Sequence, residues 1–265
     1  MLAYTASKGG FSAWEASAWL TLRRAGWWSL AGAVSAGVLM LASSAWMFAS
    51  IARPDGPSRD RTSLASWYLV AQAMKYLPGK YWGTAFQLKK TADRVGMQSA
   101  VHAAALHMAV STIGSVLVYS LASGGMPAGL AGSVCVYAWL TLRLRGDHST
   151  VANALGRAAP VMGALILEWC FFWWACMLML PGLAKEDALK IGALYSLAWV
   201  CGGVLSLMPG GLVVRESAFV VLAQLAGVDP GTALAFSVSA RVCFTMSEFL
   251  AAAAGWVLGR RMKLV

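Results

Sequence analysis

The residues of this chain that could bind an ion or exchange a proton are ionisable side chains inside long apolar stretches. Seven such groups lie in or beside apolar segments: His102, His107, Glu168, Arg215, Glu216, Arg241 and Glu248. An arginine or aspartate at the centre of a membrane helix costs roughly +2.5 to +3.5 kcal/mol, so these groups need partners or a polar cavity. Arginine is suited to hold phosphate or carboxylate, and glutamate can offset that charge or exchange a proton. The residue types therefore predict an anion-binding cavity at membrane depth.

The last apolar stretch, residues 231–259, carries the clearest pattern. Ser237, Arg241, Thr245 and Glu248 are spaced four, four and three residues apart. On a helix these positions fall within roughly 80° of arc, so they form one polar stripe on an otherwise apolar surface. Arg241 and Glu248 are two turns apart, roughly 10 Å, which is too far for a direct ion pair. We therefore expect this helix to turn one face toward a polar cavity; an ion pair that only joins helices is the alternative.

Two further apolar stretches are each interrupted by a Pro-Gly pair. The first reads KYLPGKYWG at 75–83, and the second reads LMPGGLVVRE at 207–216. Proline removes a backbone donor and glycine favours a turn, so a straight helix is unfavourable at either place. Irregular backbone at membrane depth is tolerated only beside protein or water, and broken elements in both halves of a transporter mark its binding site. We expect both breaks to line one cavity; ordinary proline kinks are the alternative.

The residues at the breaks define a candidate anion site. A helix that begins after the second break would direct N–H groups and its positive dipole end toward the gap, where phosphate or carboxylate binds well. Arg215 and Glu216 follow that break closely, and Lys80 comes directly after the first one. With the arginine of the last stretch, the predicted substrate-binding residues are Lys80, Pro209, Gly210, Gly211, Arg215, Glu216 and Arg241.

Glu168 and Glu248 are the predicted coupling or counter-charge residues. Glu168 stands between Leu167 and Trp169 in the middle of an apolar stretch, where a carboxyl group is tolerated only with a partner or a proton. Arg241 and Arg215 are its candidate partners. A role in helix packing and a role in handling substrate or protons are both open.

No metal or cofactor site is expected. His102 and His107 are five residues apart, roughly 140° around a helix, so they cannot bind one metal from the same face. Hydrogen bonding between helices is the role that we expect for them. The five cysteines lie in apolar stretches without a Cys-x-x-Cys pair, so disulfides and zinc are not expected either.

Long apolar helices are the elements that must position these residues. Of 265 residues, 59% are hydrophobic and 12% are charged, and the mean hydropathy is +0.64. Soluble domains carry about a quarter charged residues, so the composition excludes an ordinary soluble protein. The sequence predicts an all-α polytopic integral membrane protein with an inverted pseudo-repeat. About six full spans are expected, at 26–52, 97–123, 126–142, 158–184, 191–208 and 231–259, with two Pro-Gly-broken or re-entrant helices in 63–88 and 191–228.

Basic residues set the expected topology. If 63–88 crosses once and 191–228 enters and returns, the excess of Lys and Arg falls on one side of the membrane, and both termini are cytoplasmic. The net charge of +10 then belongs to cytoplasmic loops and indicates no nucleic acid partner. Residues 1–25 are expected to form an interfacial amphipathic segment, 26–259 a single transmembrane domain and 260–265 a basic cytoplasmic tail.

The two break motifs, together with Arg241 in the last span, resemble the lysylphosphatidylglycerol synthase transmembrane region family. This is the flippase-like membrane domain that occurs fused to aminoacyl-lipid synthases and also alone. The similarity covers roughly residues 26–259. The resemblance implies a helical bundle with re-entrant segments in a bacterial cytoplasmic membrane, and a role in moving lipids with charged headgroups, including glycan-linked ones. Members often begin with a further full span, whereas this sequence has the segment 1–25.

A flippase is the leading functional hypothesis, for a phospholipid or a polyprenyl-phosphate-linked glycan with a phosphate-bearing or charged headgroup. Lys80, Arg215 and Arg241 would hold the headgroup while the tails stay in the bilayer. An intramembrane transferase acting on a lipid carrier is an alternative, although the sequence has no Asp-x-Asp pair and no large loop for a donor. A transporter of a soluble anion would use the same residues. We expect a transport protein rather than an enzyme.

Overall fold

The computed structural model describes residues 10–77, 81–124, 126–143, 151–181, 183–205 and 214–261. Every regular element in these ranges is a helix. In chain order the helices are α1 Gly10–Ala52, α2 Ser58–Met74, α3 Trp82–Val95, α4 Met97–Ala122, α5 Met126–Arg143, α6 Val151–Met179, α7 Lys185–Leu205, α8 Val214–Leu225 and α9 Pro230–Arg261. The expected all-α class is confirmed for the part of the chain that the structure describes.

Four helical segments are long and apolar enough to span a membrane. They are Gly26–Ala52 within α1, Met97–Ala122, Asn153–Met179 within α6, and Pro230–Arg261. Such lengths fit a membrane protein, because a span needs about 20 predominantly apolar residues. Two other expected spans lie in α5 and α7, helices of 18 and 21 residues. The count of six full spans stays a prediction.

The first helix is kinked at Gly26. This residue has φ 60° and ψ 157°, a conformation that glycine adopts far more easily than residues with side chains. The kink coincides with the expected boundary between the segment 1–25 and the first span. Trp27 and Trp28 follow it and are almost fully exposed, as is usual for tryptophans at a membrane–water interface. The interfacial position of the first segment stays a prediction.

Helices α1, α6 and α9 form the centre of the bundle. Small residues let them approach closely: Ala33 and Ala36 of α1 are fully buried, and Gly37 lies against Ser247 of α9. The Ser247 hydroxyl donates a 2.9 Å hydrogen bond to the Val34 carbonyl across this contact. Close packing of small residues and interhelical hydrogen bonds stabilise helix association in lipid, where apolar burial contributes little.

Aromatic rings fill the space between α6, α7, α8 and α9. Phe172 stacks on Phe244 with ring centroids 5.6 Å apart. Tyr195 of α7 meets Phe219 of α8 and Phe236 of α9 edge-on, both at 5.2 Å. All five rings are buried, so α7 and α8 are fixed against the centre of the bundle.

An antiparallel hairpin of α2 and α3 surrounds the first Pro-Gly break. Arg94 at the end of α3 lies 3.2 Å from Asp60 at the start of α2, and its guanidinium lies over the Trp67 ring. Near the other end, Gly83 of α3 lies so close to α2 that an added Cβ would be 2.6 Å from the Ala71 carbonyl oxygen. The chain therefore reverses direction between α2 and α3.

The single crossing expected for residues 63–88 is not observed in the described residues, because α3 runs back along α2. A single crossing would place Arg94 and Arg157 on the face opposite Asp60 and Asp55. In the structure Arg94 pairs with Asp60, and Arg157 pairs with Asp55 at 2.8 Å. The Pro-Gly pair of this stretch lies outside the described residues. The assignment of both termini to the cytoplasm depended on that crossing and loses its support.

A second hairpin consists of α7 and α8. Lys190 near the start of α7 donates a 2.7 Å hydrogen bond to the carbonyl of Ala226, which follows α8. Near the opposite end, Gly202 of α7 lies against Arg215 of α8, and an added Cβ would be 2.8 Å from the arginine Cβ. This agrees with the expectation that residues 191–228 enter and return. The hairpins lie at opposite ends of α6, since α6 begins beside Asp55 and ends shortly before α7.

Replacing Gly255 by alanine should destabilise the packing of α2 on α9. An added Cβ would lie 2.8 Å from the Ser66 carbonyl oxygen and 2.9 Å from the Leu69 Cβ, so a backbone segment must shift. We expect the free energy of unfolding to fall by about 1–3 kcal/mol, measured as a lower Tm of the purified protein. Gly163→Ala in α6 is the matched control, because nothing lies within 4 Å of its Cβ position. Equal Tm values for the two variants would contradict the close approach of α2 and α9.

Candidate functional site

The polar stripe of α9 faces the interior of the bundle, as the sequence predicted. Ser237 and Glu248 are buried, and the Arg241 side chain is 19% exposed. The opposite face consists of apolar side chains that are about half exposed: Val238, Val242, Met246, Phe249 and Leu250. Helix α9 therefore presents apolar residues outward and polar residues inward.

Glu248 of α9 binds the end of α2. Its Oε1 lies 2.6 Å from Lys75 Nζ, and its Oε2 accepts a 2.6 Å hydrogen bond from the Tyr76 hydroxyl. The same hydroxyl lies 3.1 Å from Thr245 Oγ1, and the Tyr76 ring stacks on Phe249 at 5.4 Å. Charge-assisted bonds thus fix the residues just before the first break to α9. The cation beside Glu248 is Lys75, which is not one of the predicted substrate-binding residues; the coupling or counter-charge role of Glu248 in transport stays a prediction.

Arg241 lies between the two broken elements. Its Nη1 is 3.7 Å from Glu216 Oε1 at the start of α8, and its Cζ is 5.8 Å from the centroid of the Tyr76 ring at the end of α2. The described residues that flank the two breaks therefore meet at Arg241. The other predicted substrate-binding residues lie outside the described residues: Lys80, Pro209, Gly210 and Gly211.

Arg215 lies on the other side of Glu216. Its Nη2 is 3.0 Å from Glu216 Oε1. Its Cζ lies 4.8 Å from the centroid of the Trp199 ring and 5.4 Å from that of the Tyr195 ring, both on α7. Cation–π contacts with two rings help to stabilise this buried guanidinium. One carboxylate oxygen of Glu216 is therefore shared between Arg215 and Arg241.

Five charged side chains form a row beside the inner face of α9, which we call the charge row. In order they are Lys75, Glu248, Arg241, Glu216 and Arg215. Three cations and two carboxylates give this row one positive charge in excess when all five are ionised. An excess of positive charge between apolar helices attracts an anion. Of the predicted substrate-binding residues, the structure brings Arg215, Glu216 and Arg241 together.

A cavity of about 220 Å³ with polar groups in its lining lies beside the charge row, and we call it the Glu168 cavity. Its polar lining consists of Ser44, Tyr68, Gln72, Lys75, His107, Ser111, Thr112 and Glu168. Ser111 donates a 3.4 Å hydrogen bond to Glu168 Oε1. Ser44 Oγ lies 3.1 Å from the Tyr68 hydroxyl and 3.2 Å from His107 Nε2. Because Lys75 belongs to both groups, the cavity and the charge row adjoin each other.

Glu168 forms no ion pair with Arg241 or Arg215 in the part of the chain that the structure describes, so the expected pairing is not observed. Both arginines lie against Glu216 instead. His107 makes the interhelical hydrogen bond that the sequence predicted, joining α4 to Ser44 of α1. His102 is exposed. Across the described ranges, no group of three or more His, Cys, Asp or Glu side chains is placed to hold a metal ion.

Lys75 and Tyr76 are site residues that the sequence patterns did not single out. The sequence spacing could have identified Lys75. Tyr68, Gln72 and Lys75 are four and three residues apart, so they share one face of α2. All three line the Glu168 cavity. Ser44 and Ser111 carry no comparable signal, because single serines are common at helix contacts in membranes.

Comparison with protein-family models, with curated proteins and with solved structures gives no match to this chain. The resemblance of the break motifs to the lysylphosphatidylglycerol synthase transmembrane region family therefore stays a prediction. A function has to be inferred from the charge row and the Glu168 cavity themselves.

Replacing Lys75 by methionine should strongly destabilise the protein, because the buried Glu248 carboxylate loses its cation. Removing one partner of a buried ion pair costs about 3–5 kcal/mol. Lys75 is 26% exposed, so we expect a loss near the lower end of that range. Adding Glu248→Gln should restore most of the stability, since no charge is then stranded. Unfolding of the purified variants in detergent measures both effects.

Lys185→Met is the matched control, because Lys185 is exposed at the start of α7. It should leave the free energy of unfolding nearly unchanged. A double variant as unstable as Lys75→Met alone would show that Lys75 does not stabilise the protein through Glu248.

Proposed function

We propose that this chain is a flippase that moves a lipid with a phosphate-bearing or charged headgroup across a bacterial cytoplasmic membrane. A phospholipid and a polyprenyl-phosphate-linked glycan are the two substrate classes. The observation that carries the proposal is the position of Arg241, between the ends of two hairpins that lie at opposite ends of α6. A cation at the meeting point of two broken elements suits an anionic group passing from one face to the other.

The headgroup would bind at the charge row while the lipid tails stay outside the bundle. Arg215 and Arg241 share one oxygen of Glu216, and a phosphate offers several oxygens to the same two guanidinium groups. Binding in this way replaces part of the water that a charged headgroup loses on entering the bilayer. The desolvation cost is what makes unassisted crossing slow.

The two hairpins would act as gates. Bonds from Glu248 to Lys75 and Tyr76 hold the first hairpin on α9, and the contact of Glu216 with Arg241 holds the second. Breaking one set of contacts would open the charge row to one face while the other set stays closed. The order span, hairpin, span occurs in α1–α4 and again in α6–α9, and transporters with inverted halves use equivalent elements in this way.

We infer five crossings, by the span in α1 and by α4, α5, α6 and α9, with two re-entrant hairpins. The face at the open end of the first hairpin carries many basic residues: Arg53, Arg59, Arg61, Lys89, Lys90, Arg94, Arg157, Arg260 and Arg261. On the opposite face, Arg23 and Arg24 precede the first span, and Lys185 and Lys190 are balanced by Glu186 and Asp187. The positive-inside rule then assigns the first face to the cytoplasm. The end of α9 is cytoplasmic in this topology, and the start of the first span is on the other side.

Thiol labelling of intact bacterial cells tests this topology. Arg59→Cys and Lys185→Cys are introduced separately into a variant whose native cysteines are replaced by alanine. A membrane-impermeant maleimide should label Lys185→Cys in intact cells and Arg59→Cys only after permeabilisation. Labelling of both positions from the same side would contradict the inferred topology.

Replacing Arg241 by alanine should slow lipid transfer roughly tenfold or more, which corresponds to a loss of at least about 1.4 kcal/mol of binding to the transported anion. The purified variant is reconstituted into vesicles with a labelled phospholipid or polyprenyl phosphate, and transfer between leaflets is measured. Arg241→Lys should recover only part of the rate, since lysine lacks the planar fork. The Tm should change little, because Glu216 keeps Arg215 at 3.0 Å.

Arg260→Ala is the matched control on the same helix, because Arg260 is exposed near its end. Full transfer by a stable Arg241→Ala protein would remove Arg241 from the mechanism. Covalent modification of the lipid in the presence of an activated donor would favour an intramembrane transferase instead. Uptake of free phosphate without lipid movement would favour a transporter of soluble anions.

A further inference from the structure

Glu168 is a buried carboxyl group that forms no ion pair with the residues that the structure describes. The residue is 8% exposed, and its Oε1 accepts a hydrogen bond of 3.4 Å from Ser111. Its Oε2 is buried and has no hydrogen-bond partner among the residues that the structure describes. No ion pair in the same ranges includes Glu168. Burying an ionised carboxylate in such surroundings is far less favourable than burying the neutral acid.

The groups that face the Glu168 cavity from the neighbouring helices leave this carboxyl uncompensated. Helix α1 contributes Ser44, α2 contributes Tyr68, Gln72 and Lys75, α4 contributes His107, Ser111 and Thr112, and α7 contributes Trp199. Helix α9 also packs on α6. Its Glu248 contacts Lys75, which lines the cavity. Lys75 is 2.6 Å from Glu248, and His107 Nε2 lies against the side chain and the carbonyl of Ser44. The lysine that lines this cavity is therefore already engaged by another carboxylate.

We propose that Glu168 is a proton-binding site whose proton is coupled to lipid movement, an inference that rests on the proposed flippase function. In the conformation described here the carboxyl group carries the proton. The cavity of about 220 Å³ has room for several water molecules, since one water occupies about 30 Å³ in the liquid. On release, the O–H bond of the carboxyl group breaks, the proton passes to water, and a carboxylate remains.

Lys75 connects this proton site to the first hairpin. Its ammonium group is bonded to Glu248, yet its side chain also lines the Glu168 cavity. When Glu168 loses its proton, its carboxylate competes with Glu248 for the same ammonium group. Transfer of Lys75 to Glu168 would leave Glu248 without its cation and with the hydrogen bond from Tyr76, which weakens the attachment of α2 to α9. Proton release therefore opens the first hairpin, and proton binding closes it.

Infrared difference spectroscopy tests the proton site independently of transport. The purified protein in lipid is titrated with pH, and the C=O band of protonated carboxyl groups is followed. The band of the original protein should shrink as the pH rises, and Glu168→Gln should lack this titrating component. Glu186→Gln should keep it, because Glu186 is an exposed carboxylate at the start of α7. An unchanged titration in Glu168→Gln would overturn the proton site.

Vesicles with a pH gradient test the coupling. Transfer of labelled phosphatidylglycerol and of a labelled polyprenyl phosphate is measured with and without the gradient. The original protein and Glu186→Gln should respond several-fold, whereas Glu168→Gln should transfer lipid at a rate that the gradient does not change. An equal response in Glu168→Gln would overturn the coupling, and a response to a Na⁺ gradient alone would overturn the proton as the coupled ion.

The two experiments separate failure of this inference from failure of the proposed function. Suppose that Glu168→Gln abolishes the carboxyl titration but that no variant transfers lipid. This result would support the proton site. The same result would overturn both its coupling to lipid movement and the flippase proposal. Lipid transfer that depends on Arg241 but not on the pH gradient would support the flippase and overturn the coupling.

Discussion

A charged side chain between apolar helices is tolerated only when an opposite charge lies within a few ångströms, and the centre of this molecule is built around that requirement. The opposite charge beside Glu248 of α9 is Lys75, and those beside Glu216 of α8 are Arg241 and Arg215. Each contact joins a different hairpin to α9. The ends of both hairpins are therefore joined to one helix by charge contacts as well as by packing.

Small residues make this arrangement sterically feasible. Gly83 lets α3 lie against the backbone of α2, Gly202 lets α7 lie against Arg215, and Gly255 lets α9 lie against α2. Aromatic packing around Tyr195 then fixes the second hairpin close to α9. The charge row and the Glu168 cavity differ in one physical respect. The row consists of paired charges that hold elements together, whereas Glu168 has no such pair in the described part of the chain and is suited to exchange a proton.

The spacing of polar residues was sufficient to predict the inner face of α9, because a helix has a fixed period. Each Pro-Gly motif falls between the two described helices of a hairpin. Whether a broken stretch crosses or returns could not be read from them, since 63–88 is long enough for either path. The charge bias did not decide the question, because basic residues such as Arg94 and Arg157 satisfy the positive-inside rule under either crossing count. Only the pairing of those arginines with Asp60 and Asp55 distinguishes the two paths.

Which charged side chains pair with each other inside the bundle was harder still to predict. Lys75 and Glu248 are 173 residues apart in sequence, and nothing in either local pattern indicates the other. Charge alone predicts that Glu168 pairs with an arginine. In the folded chain, the packing of the two hairpins places both arginines beside Glu216. Local periodicity thus predicts which face of a helix is polar, and tertiary packing decides which charges meet.

The most direct measurement is leaflet transfer of labelled lipid in vesicles that contain the purified chain. The proposed function predicts that transfer of an anionic phospholipid or of a polyprenyl phosphate is faster than in protein-free vesicles, and that the rate rises with the number of protein molecules per vesicle. The proposed function would be contradicted if folded protein transferred both lipid classes no faster than protein-free vesicles do.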